Sequence, residues 1–230
     1  MDRSVWLGIH IAAGFIALFM APAAMLTQKG GKAHRRWGKI YFWAMSVVAL
    51  SASVLVFVFG STFFLFLVAI FSFYLALTGY RVLFRKKPQQ GDRPTILDWT
   101  ACIVAMAGGV ALLAWGLRLK ISGNTSGFAL VSVVFGGLSL LSAGAELKSF
   151  IRPPDDKHHW WFQHMRGMIT AYIATVTAFS AVNFRFLPVA IRWLWPTLVG
   201  TAGLILWRRY YERKFGTRGQ AETPRPDARQ

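Results

Sequence analysis

A single cysteine in 230 residues, Cys102, leaves no internal disulfide and no CxxC metal pair. Its apolar neighbours make it a small packing residue. Acidic residues are also scarce: nine Asp and Glu stand against 26 Lys and Arg, giving a net charge of +17, and only 15% of residues are charged. Soluble domains carry roughly 25%, so this composition argues against a water-facing globule. GxSxG, HExxH, GxxxxGK and GxGxxG are all missing. Hydrolase and nucleotide chemistry therefore lack local support, and the reading leans away from an enzyme.

Apolar length is what the chain has in abundance. Hydrophobic residues make up 55% of it. Uninterrupted runs of about 18 or more can each cross a hydrocarbon core of roughly 30 Å at about 1.5 Å per helical residue. Seven spans are expected, near 5–26, 40–60, 62–84, 98–117, 127–147, 167–184 and 187–207. The fold class is an all-α polytopic transmembrane bundle. The second and third spans are nearly continuous, with a tight re-entry at Gly60-Ser61 between them.

Charge placement gives the bundle sides. Of the 26 Lys and Arg, 21 fall before the second, after the third, before the sixth or after the seventh span. The exceptions are Arg3, Arg118, Lys120, Arg185 and Arg192. The positive-inside rule then puts the N-terminus outside and the basic C-terminus in the cytoplasm. Cations placed this way face anionic lipid headgroups rather than nucleic acid. The tail, 208–230, is basic and from Gly216 almost free of apolar residues, so it is expected to be largely disordered. Trp160, Trp161, Trp193, Trp195 and Trp207 fall near span ends, as interfacial anchors do.

Small residues mark packing faces. Gly167, Ala171, Ala174, Ala178 and Ala181 recur at steps of 4, 3, 4 and 3. Shorter stripes are Gly14-Ala17-Ala21, Ala101-Ala105-Gly109 and Gly137-Gly144.

Polar groups at membrane depth need a partner or a purpose. On the cytoplasmic side His34, Arg36, Asp98, Glu146, His164 and Arg166 come within one leaflet. As a functional set, His34, His164, Glu146 and Asp98 are candidate metal ligands, with Arg36 and Arg166 flanking them for an anion. As a structural set, the carboxylates pair with nearby arginines. His34 and His164 each stand beside Arg at a helix mouth, so they could share a divalent ion or ligate haem b. Against haem, only His10 lies inside a span. A faint echo, His34-Arg35-Arg36 with Gly38 against His164-Met165-Arg166-Gly167, links the starts of the second and sixth helices, though so few identities are what chance gives. On the outer side, His10, Tyr172, Thr175 and Asn183 are candidates for a polar ligand pocket, the alternative being a simple interhelical hydrogen bond. The sequon Asn124-Thr125-Ser126 carries no weight by itself.

The segment Lys32 to Phe42 (KAHRRWGKIYF), and His164 to Met168 followed by Tyr172 to Phe179 and Asn183, resemble uncharacterised bacterial multi-pass membrane proteins of the DUF2306 type. The resemblance implies a bacterial inner-membrane location and brings no activity or ligand with it. Three functions are weighed. The first is binding or transport of a small solute, ion or lipid through polar positions of helices 1, 2 and 6. The second is a haem or metal protein of membrane electron transfer using His34 and His164. The third is a membrane-embedded metal-dependent hydrolase, which needs those histidines to converge with Asp98 or Glu146.

Overall fold

The protein is described from a computed structural model, which defines residues 2–123 and 127–221, with side chains to 215. Seven α-helices follow in order: α1 (Arg3–Leu26), α2 (Lys32–Phe57), α3 (Phe63–Arg81), α4 (Ile96–Ile121), α5 (Phe128–Ile151), α6 (His159–Asn183) and α7 (Val189–Ala221). Two short 3-10 turns, Val82–Phe84 and Pro88–Gln90, lie between α3 and α4. No strand occurs among the described residues. All seven helices are long and apolar enough to cross a membrane, so the chain is an integral, multi-pass membrane protein. The sequon and the last nine residues of the tail lie outside the described residues.

The helices outrun their apolar cores at the basic end. The second span begins at Lys32 rather than 40, and the sixth at His159 rather than 167. Hydropathy falls where Lys and Arg begin, but helical hydrogen bonding does not, because straight-chain cations are good helix formers. His34 therefore sits in the first turn of α2, and His164 in the second turn of α6. At the opposite end α2 stops as expected before Gly60, whose φ of 65° is open to glycine; its N–H and that of Ser61 return to the carbonyls of Val56 and Leu55.

Close approaches set the packing. α4 and α5 form an antiparallel pair closed by small groups: Cys102 Sγ donates to Ala143 O, Ser139 Oγ donates to Ala105 O, and Gly109 lies against Gly136. The stripe on α5 is thus Ser132, Gly136, Ser139, Ala143 and Glu146. Gly137 and Gly144, the expected pair, face open space. α3 and α6 touch backbone to backbone, since a Cβ on Gly167 would stand 2.6 Å from Gly79 Cα. Ala171, Ala174 and Ala181 of the α6 stripe are buried, whereas Ala178 is exposed.

Trp193 is also no interfacial anchor. It is buried among Phe64, Phe128 and Phe135. In α7, Pro196 has no N–H to give the carbonyl of Arg192 four residues back. Ser180 Oγ of α6 supplies that bond at 2.8 Å, and Trp195 Nε1 donates to the same hydroxyl at 2.8 Å.

Overpacking a tight contact costs about 1–3 kcal/mol. G167A is accordingly expected to lower the thermal unfolding midpoint of the detergent-solubilised protein. G137A, pointing into open space, should leave it unchanged or raise it slightly.

Candidate functional site

Two polar constellations occupy the basic end of the bundle. The first is a buried ion-pair network. Asp98 lies in the first turn of α4, where it completes a capping box with Thr95. Arg81, from the last turn of α3, grips the same carboxylate with Nε at 3.0 Å and Nη2 at 2.9 Å. Arg85 reaches Glu146 Oε1 at 2.7 Å and stands 3.8 Å from Asp98 Oδ1, with its guanidinium 4.8 Å from the Phe150 ring centroid. Gln163 of α6 donates to the other oxygen of Glu146. Glu146 is only 2% exposed and Asp98 6%. Two cations and two carboxylates make the set neutral, and it ties α3, α4, α5 and α6 together.

Charges buried this deeply are held by their partners, so removing one leaves the other uncompensated. R85A is expected to destabilise the protein by about 3–5 kcal/mol. R85M/E146M, which removes both charges at once, should cost less than R85A does. Unfolding of the three proteins in one detergent measures the difference, and a double variant that loses as much stability as R85A or more would contradict it.

The second constellation is the pair His34 and His164. His34 Nδ1 lies 2.9 Å from the carbonyl of Ala24, near the end of α1. His164 Nδ1 lies 2.7 Å from the carbonyl of Gly79, near the end of α3. A carbonyl only accepts, so each Nδ1 carries the proton and donates. In the neutral ring, each Nε2 is then left with a lone pair. Both carbonyls belong to last turns, where helical donors run out. The two rings meet edge to face with centroids 6.2 Å apart. Arg36 and Arg166, each two residues beyond its histidine on the same helix, are exposed and turn to a different face, Arg36 standing over Trp37.

The two constellations do not merge. Among the described residues, no three His, Cys, Asp or Glu side chains gather at ion-binding separation. The expected four-ligand set of His34, His164, Glu146 and Asp98 is therefore corrected: the histidines form one pair, and the carboxylates are taken by Arg81, Arg85 and Gln163. A hydrolase that needs histidine and carboxylate on one metal loses its geometry for the same reason.

The outer pocket is corrected as well. His10 Nδ1 lies 3.0 Å from Ser51 Oγ, whose own proton goes to the carbonyls of Val47 and Val48, so His10 is the donor. Thr175 is buried against Ala171 O and Met45 Sδ, and Asn183 is exposed and bonded to Phe179 O. Tyr172 lines an apolar lateral groove instead. His10, Thr175 and Asn183 each hydrogen-bond to groups outside the expected set.

Arg81, Arg85 and Gln163 are the members of the network that the sequence reading missed. The arginines lie beyond the apolar part of α3, where they read as loop charges. Gln163 lies in the helical extension of α6. Lys29, between α1 and α2, donates to Met25 O and stands 5.0 Å from the Trp207 ring centroid; burial lowers its pKa from the ordinary lysine value. Comparison with protein-family models, curated proteins and solved structures finds no match.

Proposed function

We propose that the chain is a haem b protein of membrane electron transfer, in which His34 and His164 would hold the iron. The supporting observation is the pair itself: two half-buried imidazoles, each fixed through Nδ1, with ring centroids 6.2 Å apart. A metal held by two imidazoles at roughly 2.0–2.1 Å per nitrogen puts the centroids about 6 Å apart. Fixing Nδ1 on a carbonyl is also how proteins orient a ligating histidine and raise its basicity.

The donor count favours haem over a bare divalent ion. Such an ion draws four or more ligands, mostly from protein, and the described residues offer no third His, Cys, Asp or Glu beside the pair. A porphyrin supplies four nitrogens of its own and needs only the two axial groups. When bound, the group supplies one-electron chemistry. The chain's part is to hold the two nitrogens and set their basicity.

The likeness to the DUF2306-type proteins and the charge asymmetry support a bacterial inner membrane with the basic end in the cytoplasm. The solute-binding reading loses its outer polar pocket, but the groove beside Tyr172 keeps a lipid version of it in play.

An absorption spectrum of protein purified from a haem-replete host tests the assignment. Wild type should show the split reduced bands of a six-coordinate bis-histidine haem. H34A and H164A should each lose them, and H10A should keep them. A colourless wild-type protein would overturn the reading.

A further inference from the structure

The outer face of α7 carries a feature that neither the histidine pair nor the ion network uses. A lateral groove of about 590 Å³ runs between α6 and α7 with Met25 of α1 at one end. Its walls, among them Tyr172, Ile173, Trp195, Val199, Gly203 and Trp207, are almost wholly apolar. Gly203 opens it, since a Cβ there would meet nothing within 4 Å. Further along the same helix a second recess of about 560 Å³ is lined by Leu206, Arg209, Tyr210, Arg213 and Lys214.

The two recesses are one track. Leu206 borders both. Val199, Gly203, Leu206, Tyr210 and Arg213 step along α7 by 4, 3, 4 and 3 residues, which keeps them on a single stripe. The stripe is apolar at membrane depth and basic beyond it. Glu212, the one acidic residue of α7, is engaged by Arg208 at 2.7 Å, so it does not offset Arg209 and Lys214 on the track.

We infer that this track is a binding site for one anionic phospholipid, with an acyl chain in the groove beside Gly203 and the phosphate against Arg209, Arg213 and Lys214. Charge complementarity selects the occupant. A zwitterionic lipid brings a cation of its own beside the phosphate and so compensates Arg209 and Lys214 less than a headgroup of net negative charge does, and a second copy of the chain would set two basic stripes against each other. Basic clusters just beyond a spanning helix are sites where anionic headgroups gather. What distinguishes this one is the chain-sized groove leading into it.

The test uses the full-length protein in a neutral detergent, titrated with dioleoyl-phosphatidylglycerol or dioleoyl-phosphatidylcholine and read by native mass spectrometry and thermal unfolding. Wild type should retain one phosphatidylglycerol with an affinity roughly tenfold above phosphatidylcholine, two or three cations near a headgroup being enough for that ratio. R209Q/K214Q should bring the ratio close to one while leaving phosphatidylcholine binding and the lipid-free unfolding midpoint unchanged. G203L puts a side chain into the groove from a position where a Cβ meets nothing within 4 Å, so it should weaken both lipids together. A wild type that does not distinguish the two lipids, or variants that keep the wild-type ratio and affinity, would overturn the assignment. So would selectivity for phosphatidylglycerol that survives R209Q/K214Q.

Discussion

The contact of Gly79 with Gly167 is the constraint on which most of the basic end depends. Two helix backbones touch there without side chains between them, so any Cβ at either glycine would collide with main-chain atoms under about 3 Å away. Residues close to the contact inherit its geometry. Three residues before Gly167, His164 finds the carbonyl of Gly79 itself, and one residue earlier Gln163 reaches Glu146 on α5. Gly79 in turn lies two residues before Arg81, so the same approach orients the guanidinium that closes on Asp98. A single point of tight packing thereby positions an imidazole, an amide and an ion pair from different stretches of sequence.

The number of helices and their membrane character were legible because they rest on length and apolarity alone. The pairing of Asp98 and Glu146 with arginine could be anticipated too, since a buried carboxylate in a basic neighbourhood has few alternatives. The partners themselves were harder to see. Hydropathy ends a span where charge begins, and Arg85 and Gln163 lie beyond that point. On α5, glycine alone does not mark the face that packs closely. In fact Gly137 faces space, while Gly136, Ser132 and Ser139 carry the contact with α4. Which of two adjacent glycines faces a partner depends on helix rotation, and local composition does not encode it. The outer pocket failed for another reason: Ser51 and the carbonyl of Phe179 were nearer partners for His10 and Asn183 than either was for the other.

The same physics divides the polar residues into two kinds. Asp98 and Glu146 accept from groups already in the protein, which suits a network that holds helices together. His34 and His164 are satisfied on one side only. Their Nδ1 atoms donate to carbonyls in the last turns of α1 and α3, that of Ala24 accepting from Thr27 as well, and the two rings meet with centroids 6.2 Å apart. The two histidines play the same local part near the starts of α2 and α6, and the packing of those helices is different. α2 lies on α1 and α3, while α6 lies chiefly on α3 and α7.

The account's central claim is that both rings are held through Nδ1–H with Nε2 left as a base. Solid-state ¹⁵N spectra of histidine-labelled, ligand-free protein in bilayers at alkaline pH, assigned with H34A and H164A, read the tautomer directly. The account predicts a protonated Nδ1 and a bare Nε2 at both His34 and His164. A protonated Nε2 at either ring would contradict it, because that nitrogen could then ligate nothing without turning the ring away from its carbonyl.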